Sequence, residues 1–379
     1  MLSKADLSRR EWMLAMVASG LTARQLSLTA QTSSNTLSHN KFSMPGLAPG
    51  VVIAVSHPGS IIEGSFQERP IQQMIATGMT ELTEAPDLTA AWRTFFEPGD
   101  VVGIKVNPVG NPHVISSPEV LREIIRGLES AGVQRKDIVV YDRYRAEFLN
   151  AGFQKWLPEG VRWMNAAEKY DNVQQDITGY DPDHYLDMAL TNPGQDVKDE
   201  RARRSYAAQF ITKEVNKLIN LPVLKDHQSA GVTLALKNLS HGLVNNVCRT
   251  HTSSTLNACG AFIPAVVALP VIRNKTVLHI LDGIKGLYHG GPGARPQFVW
   301  DHHTMYFATD PVALDHTCWK EIDKKRLAAG MKPIAEAKPD KFSTFLNRQV
   351  EHIEIAGAMG LGRFKESQID VRRIPLAKA

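Results

Sequence analysis

"VVGIKVNPVGNPHVISSPEVLREIIRGLESAGVQRKDIVVYDR", Val101 to Arg143, decides the fold. Its apolar run Val101 to Val106 ends at Asn107-Pro108, a natural stop for a strand. A helix follows: Ser117 can cap it, Pro118 suits its first turn and Glu119 favours its N-terminal end. Val120, Ile124, Ile125 and Leu128 make one apolar face, and Gly132 closes it. Asp137 to Arg143 then reads as a second strand. Strand, helix and strand in that order imply a right-handed crossover and a parallel sheet. The expected fold class is therefore α/β, a mostly parallel sheet with helices on both faces, in two lobes with a cleft between them.

The same alternation continues outward. Val51 to Pro58 is an opening strand, Leu218 to Leu224 a buried strand with a helical lead-in, and Thr276 to Ile284 another strand. Asp310 to Gly330 is a helix capped by Asp310, with Pro311 at its first position. "VEHIEIAGAMGLG", Val350 to Gly362, reads as strand then glycine loop. The polar stretch 171–206 lacks periodicity and reads as an insertion or the join between lobes. There is no internal repeat.

Composition bounds the function. The chain has 379 residues, 43% hydrophobic and 22% charged, with a net charge of +4. These are the proportions of an ordinary globular protein, without the basic stripe that nucleic acid would require. Part of the charge lies in residues 1–30, where "SRREWMLAMVASGLTA", Ser8 to Ala23, sets paired arginines before an apolar run too short for a mature membrane anchor. It resembles a twin-arginine export signal. Residues 31–48 then form a linker and 49–379 the α/β domain. The resemblance implies delivery by the twin-arginine machinery to the periplasm, as suits an enzyme loaded with a cofactor before export, and no stable membrane anchor after processing.

In open α/β sheets, ligands sit beyond the carboxyl ends of strands. Those ends supply Lys105 and Asn107, Asp142 and Arg143, Lys225 to His227, and Asp282 and Lys285. The densest group lies in "NLPVLKDHQSAGVTLALKNLSHGLVNN", Asn220 to Asn246, where His227 and Lys237 flank the small Ala230-Gly231 step and Asn238 follows. Histidine can act as acid, base or metal ligand, and a desolvated lysine as nucleophile or tether. The plainer alternative makes Lys225 and Lys237 solvated flanking charges and His227 a cap. Next come His241, Cys248, His251 and Cys259. His241, His251 and Cys259 would suit a transition metal such as nickel, zinc or iron, whereas Cys248 and Cys259 could instead form a disulfide or stay free thiols. The Gly/Pro-rich Leu281 to Gln297 reads as a lid or substrate loop from which His289, with His302 and His303, could reach a site. No hydrolase elbow and no dinucleotide fingerprint follows a strand.

"FEPGDVVGIKVNPVG", "INLPVLKDHQSAGVTLALKNLSHGLV", "ILDGIKGLYHGGP" and "ATDPVALD" together resemble the family known as domain of unknown function 362, over residues 50 to 330. Some of its members carry a ferredoxin-like cysteine segment that this chain lacks. His227, Ala230-Gly231 and Lys237 are also similar, in spacing, to the nickel-pincer lactate racemases. That resemblance implies a cofactor tether at Lys237, an acid/base at His227 and a nickel ligand at His251. The chain departs from the pattern in having Leu234-Ala235-Leu236 where the racemases have glycines, and Arg143, Tyr144 and Arg145 where they have a second catalytic histidine. The expectation is an exported cofactor- or metal-dependent enzyme moving a proton or hydride on a small hydroxy acid or sugar acid. His227, Lys237 and Lys225 would be its catalytic groups, and Lys105, Asn107, Lys237, Asn238 and Asp282 its cofactor contacts. Lys105, Arg143 and Lys225 would hold a small polar or anionic molecule. The competing class is a periplasmic metal- or ligand-binding protein, or a thiol redox protein using Cys248 and Cys259.

Overall fold

The computed structural model describes residues 39–377; the twin-arginine segment and the first part of the linker, residues 31–38, lie outside the described residues. The main strands are β1 (Val51–Ser56), β2 (Val102–Lys105), β3 (Ile138–Tyr141) and β4 (Arg162–Met164). The stretch 171–206 contributes to a separate antiparallel pair, β5 (Tyr180–Asp187) and β6 (Arg204–Ala208). Then come β7 (Lys217–Asn220), β8 (Val223–His227), β9 (Thr276–Leu287), β10 (Val299–Ala308) and β11 (Asp370–Pro375). The main sheet runs β11-β1-β10-β9-β7-β2-β3-β4, with β8 also on β9. Only β10 among these strands runs against its neighbours in that order, so the sheet is mostly parallel.

Strand residues alternate between two cores, as the period of two demands. Ile53, Val102, Ile104, Val140, Ile219 and Ile280 face one core, built with helices α1 (Glu68–Thr83), α2 (Leu88–Arg93) and α3 (Pro118–Ala131). Val52, Val139, Tyr141, Leu218 and Leu281 face the other. There lie α4 (Leu234–Leu243), α5 (Cys259–Val267), α6 (Pro311–Ala328) and α7 (His352–Ala358). Each fully buried Ile or Leu contributes about 1.5–3 kcal/mol. Helices on both faces follow from this double burial.

Three local expectations are corrected. The buried strand Leu218 to Leu224 is two strands: Pro222 has no N–H for the ladder, and the chain steps there. β7 pairs with β2 and with the start of β9, whereas β8 pairs further along β9. β2 has already ended, so the sheet splits, and the gap is crossed by side chains. The second correction concerns Val350 to Gly362, whose alternation suggested a strand. It forms α7, because His352, Ile353 and Ala356 bury one helical face. Lastly, Ser117 does not cap α3; its hydroxyl donates to Asp282 Oδ2 at 2.7 Å. Asp310 does cap α6, accepting from the N–H groups of Val312 and Ala313 at 2.9 Å.

Candidate functional site

The split in the sheet opens a cavity of about 190 Å3. Its floor is a polar lattice. Lys105, at the end of β2, donates to Val106 O and Asp142 Oδ1, both at 2.6 Å, and to Asn238 Oδ1 at 3.3 Å. Asn107 Nδ2 donates to the same Asn238 oxygen at 2.9 Å, and Asn238 Nδ2 donates to Asn220 Oδ1 at 2.7 Å. Gly242 makes room for the lysine stem, since a Cβ there would lie 2.1 Å from Lys105 Cε. All three N–H groups of Lys105 are thus engaged within the protein. It sets charge and register at the floor and has no N–H left for a bound anion, contrary to the sequence expectation. Burial lowers its pKa, and Asp142 opposes that.

Lys225 on β8 crosses the gap to Asn107 Oδ1 at 2.8 Å and to Val109 O, leaving one N–H available. Burial, with Lys237 adding to it, brings its pKa down to about 7. Lys237 on α4 differs: among the described residues its ammonium has no hydrogen bond and no ion pair, although only 7% of the residue is exposed. Burial and the charges of Arg143 and Lys105 lower it to about 8, with Cys259 opposing. Arg143 donates to Val244 O at 3.2 Å and stacks over Tyr144 at 4.2 Å. Four cations therefore line this cavity with two carboxylates, Asp142 and Glu147, and burial raises the Glu147 pKa.

The helix carrying Lys237, Asn238 and His241 is seated by a residue that sequence reasoning missed. Asp315 of α6 accepts from Ala235 N at 2.7 Å and Leu236 N at 2.9 Å, meeting the unpaired N–H groups of the first turn of α4. Burial pushes its carboxyl well up, against those two bonds. Leu234, at φ +43, turns the chain into the helix, a costly conformation for a non-glycine residue. The signal was present in "ATDPVALD", but nothing local tells a capping carboxylate on one helix which distant helix it serves.

Three histidines bound the cavity. His227 Nδ1 faces the N–H groups of Ser229 at 3.2 Å and Ala230 at 3.3 Å, so it accepts and the ring proton sits on Nε2. Thr250 settles the others. Its hydroxyl donates to Val247 O at 2.7 Å, so it can only accept from His251 Nδ1 at 2.8 Å and His241 Nε2 at 3.3 Å. His251 is left with a bare Nε2. Its ring centre is 6.1 Å from that of His227. All three rings are held neutral, chiefly by burial and then by Lys237; His251 is lowered to about 3. A ring N–H on His227 and a bare ring nitrogen on His251 therefore belong to the lining of one cavity.

His241, His251 and Cys259, expected as metal ligands, are brought together, with ligand atoms within 4.8 Å of one another. Yet the Thr250 hydroxyl touches all three, its distance to Cys259 Sγ being 3.8 Å, and it accepts a hydrogen bond from a ring N–H of each histidine. A metal among them, bound at about 2.0–2.3 Å, would have to displace that hydroxyl. With that hydroxyl displaced, the three donors lie close enough together to hold a metal ion.

Other expected residues lie elsewhere. Asp282 does not line the cavity; it accepts from Ser117 N at 2.9 Å as well as from its hydroxyl, and so ties β9 to α3. The thiols of Cys248, Cys259 and Cys318 are free and buried, so the disulfide is not formed; Cys248 accepts from Asn192 Nδ2 at 3.4 Å, while Cys259 packs against Ser229 and Thr250. The Gly/Pro loop is pinned: Gly291 N donates to Asp226 Oδ1 at 2.9 Å and Gly291 O accepts from Gln228 N at 3.2 Å, which brings Pro292 to the cavity wall. His289 instead pairs with Asp340 at 2.9 Å. His302 meets Tyr306 Oη at 2.6 Å and His303 meets Ser60 Oγ at 3.0 Å.

A model of the family described as domain of unknown function (DUF362) matches residues 102–320. No curated protein sequence matches the chain. Among solved structures it is similar to the lactate racemase apoprotein from Thermoanaerobacterium thermosaccharolyticum, at 11% identity and a TM-score of 0.34 over 73% of this chain and 57% of that one. A protein from Thermotoga maritima is similar at 11% identity and a TM-score of 0.41, over 70% of this chain and 60% of that one. The chain spans less than two thirds of either protein's length.

Proposed function

This chain belongs to the DUF362 family, and from that premise we propose that it is an exported enzyme moving a proton on a short hydroxy acid or its oxo counterpart. The observation that carries the reading is the imbalance at the cavity wall, where four cations meet two carboxylates and the Lys237 ammonium has no partner. A small carboxylate would complete that wall, taking hydrogen bonds from Lys237, from the remaining N–H of Lys225 and from Arg143. The cavity's size suits a small guest.

Binding and chemistry are coupled in this reading. In the empty cavity His251 is a poor base, because burial and the charges of Lys237 and Arg143 disfavour its cation. An incoming anion offsets those charges and lifts the His251 pKa toward a useful value. His251 Nε2 would then take the proton at the carbon bearing the hydroxyl, while His227 Nε2–H donates to a carboxylate oxygen and Lys237 stabilises the negative charge that develops on that carboxylate as the enediolate forms.

The test is deuterium exchange at the α-carbon of glycolate, lactate and glycerate, followed by proton NMR. Exchange is expected with the wild type and a loss of about 100-fold in His251→Gln, the scale of one acid/base group. Absence of both exchange and any shift in melting temperature with these acids would remove the proposal.

A further inference from the structure

We propose that Lys237 condenses with a small 2-oxo acid, forming an imine in the cavity. The inference rests on the anion-site reading above and deepens it by naming a covalent step and its substrate class. Two lysines line the same space with different prospects. Lys225 Nζ is held by two acceptors, Asn107 Oδ1 and Val109 O, which fix it across the gap in the sheet and keep it from following a guest. Lys237 Nζ is tied to nothing among the described residues and opens on the cavity. A side chain with about 2 kcal/mol of rotamer freedom, buried without a partner, is a group kept for a ligand.

Nucleophilic attack needs a neutral amine. Burial, Arg143 and Lys105 supply that by bringing Lys237 to about 8, the combination of desolvation and nearby cations that activates lysines for carbonyl chemistry. In the step itself the nitrogen lone pair forms the C–N bond as the carbonyl π pair moves to oxygen. Oxygen receives a proton from His227 Nε2–H, and His227 recovers one from the nitrogen. The nitrogen's second proton passes through His251 Nε2 to the same oxygen, which leaves as water when C=N forms. Amine and carbonyl become imine and water, with no change in oxidation level. The carboxylate of the oxo acid lies among the same cations and favours the iminium form.

The experiment is reductive trapping of the full chain with pyruvate or glyoxylate and sodium cyanoborohydride, read by intact mass and peptide mapping. One adduct at Lys237 is expected, formed at least ten-fold faster than at any other lysine, with a rate rising through pH 8. Lys237→Met and Lys237→Arg should both lose it, the arginine variant keeping charge without a nucleophile. Labelling spread evenly over exposed lysines, or an adduct of equal size in the Lys237→Arg protein, would overturn the inference. Glycolate and lactate, which cannot form imines, separate the two readings. If they raise the melting temperature while oxo acids give no Lys237 adduct, the covalent step is wrong and the anion site stands. If they do nothing and no adduct forms, both fail.

Discussion

Lys237 and Asn238 are consecutive residues on α4, almost equally buried at 7% and 3% exposure, and they live under opposite rules. Asn238 has both ends of its amide satisfied, accepting from Lys105 and Asn107 and donating to Asn220. The Lys237 ammonium has no hydrogen-bond or ion-pair partner among the described residues. Burial does not separate floor from wall; partnership does. The floor holds β2, β7 and α4 in register, and the wall keeps groups whose electrostatic demands are unmet until something enters. Stability is expected to reside in the first and function in the second, since unsatisfied groups persist where a protein gives up stability for activity.

The sharpest way to break that contrast is Asn238→Ala. It strands the Lys105 ammonium's third hydrogen, the Asn107 amide and the Asn220 oxygen in a buried setting, each worth about 1–3 kcal/mol when left unmade. A loss of about 4 kcal/mol is expected in urea unfolding. A loss below about 1 kcal/mol would mean that water replaces the lattice and that the floor is not the rigid region described.

The wall should behave in the opposite sense. Lys237→Met removes a buried charge without stranding any partner, so the variant should be more stable than the wild type while losing the trapped adduct. The sign follows from the pKa. Lys237 is depressed to about 8 in the fold against about 10.4 unfolded, so the unfolded chain binds more protons between those values. Wild-type stability therefore rises with pH across that window, and the full penalty is present below pH 8. The variant's advantage should be as much as about 3 kcal/mol at pH 7 and should shrink toward zero near pH 10.5. Paired urea titrations at the two pH values measure it. An advantage independent of pH would point to better packing rather than to the charge.

The same contrast marks what could be read from the chain beforehand. Periodicity revealed β2, α3 and β3 because the burial that sets it is local; strand ends pointed to Lys105, Asn107, Lys225 and His227, and the ionisable stretch Asn220 to Asn246 to Lys237 and Asn238, all of which line the cavity. Hidden were relations across long distances in sequence. Asp315 reaches α4 from about 80 positions away, Thr250 decides the tautomers of two histidines, and Gly242 clears a path for Lys105. Pro222 lies inside the stretch read as one strand, and only its pairing along the length of β9 shows that the chain steps there and resumes along the same edge. His352 to Ala358 misled because a short stretch with apolar residues at every second or third position satisfies either period. Identity of residue told where ionisable groups gather; it could not tell which of them are already satisfied.

Asp282 offers the smallest effect and the finest test, as a buried carboxylate that belongs to neither region. It was expected to touch a cofactor, yet its acceptors are occupied by Ser117 N, Ser117 Oγ and Ile284 N at 2.9, 2.7 and 3.2 Å. Burial raises its pKa while those bonds oppose the rise. Ser117→Ala removes one bond of three and leaves both backbone donors in place, so no charge is stranded and α3 loses no cap that it had. About 1 kcal/mol of destabilisation is expected, with affinity for lactate unchanged. The two measurements must be read together. A larger loss would show that the hydroxyl, rather than the backbone, holds β9 to α3; a change in affinity would show that the strut at Asp282 extends to the cavity wall, and that floor and wall are not independent.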